Sequence, residues 1–233
     1  MKQSLANIEL LEGLSAVDLE ALAKRCRWRS YHGDEMVLAH LDAGTDVLFL
    51  TAGRLRVSLY SSSGKEVSFE DIDAGKHFGE MAAIDGRGRS ASVFALEPCT
   101  IAFLSSRNFM DLLGQHFVIA QRVMTVLCRL VRRLDERVFE FSTLTVSNRI
   151  HAELLRLAGG NTEKQTATVS PAPRHADIAS RVSTHREAVT REMNVLARSG
   201  IIRKERAALH ILDLPRLAQM VHDVLGLQPD EIP

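Results

Sequence analysis

Residues 78–91 read Phe78-Gly79-Glu80-Met81-Ala82-Ala83-Ile84-Asp85-Gly86-Arg87-Gly88-Arg89-Ser90-Ala91. A Gly-Glu pair opens a short apolar turn, and Arg89-Ser90-Ala91 follows ten residues after Gly79. This composition suits a sugar phosphate. A glycine lets backbone approach a ligand closely. A helical turn beginning at Glu80 aims free N–H groups at an anion. Glu80 is an acceptor for a ribose hydroxyl, and Arg89 offers a planar fork to a phosphate. A surface salt bridge between Glu80 and Arg89 beside a tight turn is the plain alternative.

Together, Phe78 to Ala83 and Arg89-Ser90-Ala91 resemble the phosphate-binding cassette of cyclic-nucleotide-binding domains, as found in bacterial transcription regulators of the Crp/Fnr family. The resemblance runs from about residue 8 to residue 214. It implies that Arg89 and Ser90 bind the phosphate, that the backbone of Gly79, Glu80, Met81, Ala82 and Ala83 supports them, and that Glu80 holds the ribose. The implied effector is cAMP or cGMP.

The chain's 233 residues suit two modest domains, and 45% hydrophobic with 25% charged content is ordinary globular material. No apolar run approaches the roughly 20 residues of a membrane helix. No export signal is visible, and Cys26, Cys99 and Cys128 form no pairing pattern, so a reducing cytoplasm is expected. Net charge is zero, but it is unevenly spread: residues 144–216 carry 12 Lys/Arg against 7 Asp/Glu, while the flanking segments are acidic. A local basic face of this kind suits phosphates.

Residues 4–26 read as helical, with Ser15 and Asp18 as a capping box. From about 30 to 104, short apolar runs alternate with glycines. Val47–Leu50, Leu55–Leu59 and Val67–Phe69 are strand-like, and residues 61–64 are a turn, which suggests a small antiparallel barrel or roll. Apolar residues then fall at Leu113, Phe117, Ala120, Met124, Leu127, Val131, Leu134, Val138 and Phe141, in unbroken 4-3 alternation. Such a seam predicts a coiled-coil helix and a parallel homodimer through residues 113–141. Another helix is expected from Thr145 to Ala158, stopped by Gly159-Gly160-Asn161. The tail to Pro233 is acidic and expected to be loose.

Residues 175–198 predict a helix-turn-helix: a short helix from His175 to Val182, a break at Ser183, and a second helix from about Thr184 to Arg198. Arg186, Glu187, Thr190 and Arg191 fall on the outward face near its N-terminus, beside Thr184 and His185. Arg pairs with guanine and Glu accepts from cytosine in the major groove of double-stranded DNA. Arg186-Glu187-Ala188-Val189-Thr190-Arg191 resembles the family's Arg-Glu-x-x-x-Arg recognition motif. After Gly200, residues 201–206 and 208–212 read as a wing whose Arg203 and Lys204 suit backbone phosphates.

The resemblance therefore implies an α+β chain: an N-terminal, jelly-roll-like β-roll at 1–108, a dimerisation helix at 109–143, and a C-terminal winged helix-turn-helix at 144–233. It also implies RNA polymerase as a partner. One departure stands out. The family's adenine-holding Thr-Ser pair aligns with Leu134-Asp135, neither of which bears a hydroxyl, so base choice between cAMP and cGMP stays open, as does a different effector or none. Asp135 as a solvated flank of the helix is the alternative. Four clustered cysteines for an iron–sulfur cluster are lacking, haem and metal ligand sets are not seen, and no nucleophile–base pair points to an enzyme.

Overall fold

The structure, a computed structural model, describes residues 3–62, 64, 66–159 and 164–225, with Leu225 described by its backbone alone. The chain divides into two compact units, residues 1–131 and 132–233.

In the first unit, a 3-10 turn at Glu9–Leu11 precedes α1 (Ala16–Arg25). The helix expected over 4–26 is thus confined to its second half. Ser15 caps it, accepting from Asp18 N at 3.1 Å and donating to Asp18 Oδ2 at 2.6 Å. Eight strands follow: β1 (Arg27–Tyr31), β2 (Met36–Leu38), β3 (Val47–Ala52), β4 (Arg54–Tyr60), β5 (Glu66–Asp73), β6 (His77–Phe78), β7 (Ser92–Ala95) and β8 (Cys99–Leu104). They form two four-stranded antiparallel sheets, ordered β1-β8-β3-β6 and β2-β7-β4-β5. One apolar cluster draws on both sheets, with Leu48, Leu50, Phe78, Ile101 and Phe103 from the first and Leu38, Leu55, Ile72 and Val93 from the second. The alternate residues Val47, Phe49, Ala102 and Leu104 face the other way and pack against Leu10, Leu11 and Leu22 of the N-terminal segment. Strand alternation thus serves two cores at once.

Between β6 and β7 lies α2 (Glu80–Asp85), bounded by left-handed Gly79 and Gly86. After β8 come α3 (Ser106–Gln115) and α4 (Phe117–Thr143). The expected single helix is broken at His116, whose φ of −128° and ψ of 87° are not helical. Leu113 therefore sits on α3 and packs, with Leu127, Ile119 and Val123, into the unit's own core. Phe117, Met124, Val131, Leu134, Val138 and Phe141 remain exposed.

The second unit holds α5 (Val146–Leu157), capped by Thr145, then β9 (Ala167–Val169), α6 (His175–Arg181), α7 (Arg186–Arg198), β10 (Ile202–Lys204), β11 (Leu209–Ile211) and α8 (Leu214–Leu225). The three strands form a sheet ordered β10-β11-β9. Ile150, Leu154, Ile178, Val182, Val189, Met193 and Leu196 make its core. The turn between α6 and α7 is set by Ser183 at φ 53° and by Thr184 N donating to Ala179 O at 2.9 Å. α7 starts at Arg186, two residues after the expected position, so Thr184 and His185 lie in the turn. Gly159 has the left-handed φ of 87° expected of a stop, while Gly160, Asn161 and the acidic tail after Leu225 lie outside the described residues.

Gly53 joins β3 to β4 at φ 87°, and a Cβ there would lie 2.5 Å from Pro98 O and 2.6 Å from Cys99 Sγ. Gly53→Ala should therefore cost more than the roughly 1 kcal/mol of a merely strained backbone. Trp28, the single tryptophan, packs in the first unit's core, so its fluorescence in a urea titration reads this loss. A midpoint unchanged from wild type would contradict it.

Candidate functional site

The segment between β6 and β7 is organised by one guanidinium. Arg89 is buried, at 3% exposure. Its Nη1 donates to Gly79 O at 3.0 Å and its Nη2 to Asp46 O at 2.8 Å. Its backbone is held as well: Arg89 N donates to Asp42 O, and Leu41 N donates to Arg89 O, both at 2.9 Å. The 41–46 loop, the entry to α2 and the start of β7 thus meet on this residue. Gly79, at φ 80°, is required by it, because a Cβ would stand 2.6 Å from Arg89 Nη1 and 3.1 Å from Asp46 O. Nε of Arg89 is buried and lacks a hydrogen-bond partner among the described residues. A buried, charged donor of this kind favours an anionic acceptor. Burial lowers the arginine's pKa, while Asp46, Asp42 and Glu80 act against that.

Glu80 opens α2 and is nearly buried. Burial pushes its pKa up; its own backbone N–H pulls it down, Glu70 on β5 pushes it up again, and Arg89 pulls it down. Glu70 pairs with Val57 in the β4–β5 ladder. Glu80, Arg89 and Glu70 thus share one electrostatic environment in the roll. Ala82 is buried, while Met81 and Ser90 are exposed. Ser90 neighbours Arg89 in sequence but not in burial. The residues fit a phosphate ester of a sugar: a charged fork with an unmet donor, backbone unobstructed by a Cβ, and a carboxylate able to accept from a hydroxyl.

Leu134 and Asp135 lie on the part of α4 that belongs to the second unit, and both are exposed. Arg186, Glu187 and Arg191 are exposed at the N-terminal end of α7. Thr190 differs from expectation. Its hydroxyl donates to Arg186 O at 3.0 Å and stands 2.8 Å from His175 Nδ1. A hydroxyl has one hydrogen, so Thr190 braces α7 against α6 and offers little donor capacity outward. Burial, then Lys204 and Arg186, lower the pKa of His175, and with the Thr190 hydrogen committed to Arg186 O, a proton on His175 Nδ1 completes the contact. On the wing, Arg203 pairs with Glu205 at 3.2 Å and Lys204 donates to Asn194 of α7 at 2.8 Å. The Lys204 contact ties the wing to the end of α7.

A further cluster gave no motif in the sequence. Glu153, at 1% side-chain exposure, receives Arg137 at 3.0 Å and Arg156 and Arg181 at 3.3 Å each. Arg156 also meets Glu140 at 2.8 Å, and Arg137 Nη1 donates to Arg181 O at 3.3 Å. One buried carboxylate thus links α4, α5 and α6. Its members stand 16, 3 and 28 residues from Glu153, spacings that no linear pattern would flag.

Comparison with known proteins agrees with this layout. The sequence pattern of the cyclic nucleotide-binding domain matches residues 28–116, and that of the Crp-like helix-turn-helix domain matches residues 148–220. The chain is 25% identical over 194 residues to the cyclic AMP receptor protein of Thermus thermophilus, covering 83% of this chain and 88% of that one. It is 23% identical over 221 residues to a CRP-like cAMP-activated global transcriptional regulator of Mycobacterium tuberculosis, covering 94% and 99%. Among solved structures, a CooA mutant from Carboxydothermus hydrogenoformans superposes with a TM-score of 0.77 at 21% identity, covering 91% and 94%.

With its pKa raised, Glu80 binds its proton more tightly folded than unfolded, so its ionisation costs stability as pH rises past the ordinary glutamate value. Glu80→Gln should therefore raise the melting temperature near pH 7, and the gain should shrink as pH falls toward about 4.5. Melting curves of both proteins across that range check this; a gain that grows toward acid pH would contradict it.

Proposed function

The chain belongs to the Crp/Fnr family of transcription regulators, combining a cyclic nucleotide-binding domain with a Crp-like helix-turn-helix, and on that premise we propose that it is a homodimer whose DNA affinity is set by cAMP or cGMP. The observation that carries this reading is Arg89, fixed between two carbonyls with its Nε–H unmet beside the carboxylate of Glu80. In this reading residues 1–108 bind the effector, with Arg89 and Ser90 on the phosphate and Glu80 on the ribose. Residues 109–143 carry the dimer seam, in which exposed Val131, Leu134 and Val138 pair with a second copy. Residues 144–233 bind DNA.

On the DNA side, Arg186, Glu187 and Arg191 present donors and an acceptor to base edges, while Thr184, His185, Arg203 and Lys204 lie toward the backbone. Two recognition helices in a dimer would address half-sites one turn apart, about 34 Å. An effector shifts this equilibrium only if it binds two arrangements of the dimer unequally. RNA polymerase is the partner expected of such a regulator. A second reading, with another effector or none, draws on Leu134 and Asp135. Neither offers a hydroxyl to a base, and an ionised Asp135 only accepts, which suits adenine N6 or the guanine N1–H and amino group.

Arg89→Ala separates the readings. It should abolish the nucleotide's effect in a gel shift on a two-fold DNA site while leaving residual DNA affinity in place. A nucleotide response that survives the substitution would overturn the phosphate grip. Arg191→Ala should cost about 1–3 kcal/mol on a matched site and far less on unrelated DNA. Equal losses on both would remove it from base reading.

A further inference from the structure

Helix α7 rests on a buried polar contact that its recognition motif does not include. Glu192 follows Arg191 in the chain, and its side chain is 14% exposed. Its Oε1 lies 2.7 Å from Nε2 of His151, and its Oε2 accepts from Ser147 Oγ at 2.8 Å. Both partners stand on α5, about one turn apart. An ionised carboxylate only accepts, so the proton in the first contact is on His151 Nε2. The His151 side chain is 3% exposed, and its Nδ1 is buried without a partner among the described residues. Glu192 is thus the polar partner of this ring.

The position of Glu192 on α7 gives the contact its use. Val189, Met193 and Leu196 form the apolar stripe of the helix and are buried in the unit's core. Apolar packing is non-directional, and by itself it sets the roll of a helix only loosely. At about 100° per residue, Thr190 lies about 100° to one side of Val189, Glu192 about 60° to the other, and Arg191 about 200° round, facing away. Two polar contacts therefore flank the stripe from opposite sides: Thr190 with His175 of α6, and Glu192 with His151 and Ser147 of α5. Hydrogen bonds weaken steeply as their angles close, so bonds placed in this way resist rotation in both senses. α5 is itself held, because Glu153, two residues after His151, takes Arg137 of α4 and Arg181 of α6. Burying a carboxylate is often unfavourable against an apolar side chain of similar size, so stability alone gives no reason for a glutamate at this position.

We propose that Glu192 is a positioning residue for base reading: through His151 and Ser147 it sets the roll of α7 and so aims Arg191 and Glu187 at base edges. Its effect falls on discrimination between DNA sequences. General attraction to phosphates depends on charge and tolerates a small rotation, whereas paired hydrogen bonds to one base do not. This inference rests on the reading of Arg191 as a base contact.

A two-fold site enriched from a random DNA pool by the full-length protein, with cAMP and cGMP present, supplies the matched sequence. Unrelated DNA of equal length is the reference. Fluorescence anisotropy at one salt concentration gives the ratio of the two affinities, with a melting curve on every variant as control. His151→Leu/Glu192→Leu removes both buried partners and strands neither. It should lower the ratio about tenfold and change affinity for unrelated DNA less than about twofold. Glu192→Gln, whose carbonyl accepts from His151 and whose amide donates to Ser147, should keep the ratio. Ser147→Ala, at a half-buried position and least able to disturb folding, should lower it about threefold. Arg191→Ala should cost less on the matched site when combined with the double substitution than it does alone, while the cost of Arg203→Ala on the wing stays the same. A ratio unmoved by the double substitution and by Ser147→Ala, equal losses on both DNAs, a Glu192→Gln variant as poor as the double one, or full additivity with Arg191→Ala would each overturn the inference while leaving base reading by Arg191 intact. Equal losses on both DNAs for Arg191→Ala alone, or a wild type that enriches no sequence, would overturn base reading, and this inference with it.

Discussion

The first unit depends on a buried guanidinium that must find its acceptors from loops. Arg89 does not lie in a strand or helix, yet four hydrogen bonds converge on it, two from its side chain and two through its backbone. A charged group taken out of water is tolerated only when its donors are met. Meeting them fixes the 41–46 loop and the entry to α2, and it forbids a side chain at Gly79. The αL conformation of Gly79 is therefore a consequence of packing against Arg89 as much as of the turn itself. Among the described residues its Nε–H is left without a partner, which a buried charged donor seldom is.

The second unit uses the opposite arrangement. There the buried group is the anion, Glu153, and three arginines surround it. Removing the carboxylate would leave cations facing one another, so the cluster holds the end of α4, α5 and α6 in one register. It also changes how the C-terminal end of α4 is understood. Arg137 and Glu140 of that end are bonded into the second unit, and the compact units divide between Val131 and Arg132. Any change transmitted along α4 must act on a helix whose last turns move with α5 and α6.

What was legible in the sequence follows the range of the forces involved. Local signals were legible: the Ser15 cap, the strands around β3, β4 and β5, the break at Ser183 and the glycine that opens α2 all depend on neighbours within a few residues. β1 gave no strand signal because Arg27, Trp28 and Arg29 alternate cation and aromatic with no apolar run, and its inward face is lined by cations stacked on Phe103. The break at His116 was hidden by an intact 4-3 pattern, since periodicity records which face is apolar and not whether the backbone is continuous. Leu113 and Leu127 satisfy the same pattern inside their own unit. Thr190 looked like a reader because its position is outward; its partner His175 stands fifteen residues away. The Glu153 cluster joins three helices, and pairing over such separations is decided by tertiary packing.

Arginine stands in two different settings here, and a net charge of zero hides the difference. At Arg89 the guanidinium is dehydrated and oriented before any ligand arrives, so little ordering cost remains at binding and geometry selects what fits. Arg186 and Arg191 are exposed on a helix braced from behind by the Thr190–His175 contact, within the basic excess of residues 144–216, a charge placement that favours phosphates. The acidic residues outside that segment need not weaken the attraction, because screening in physiological salt confines it to about 8 Å. Charge placement within a screening length, more than the total, decides which surface attracts an anion.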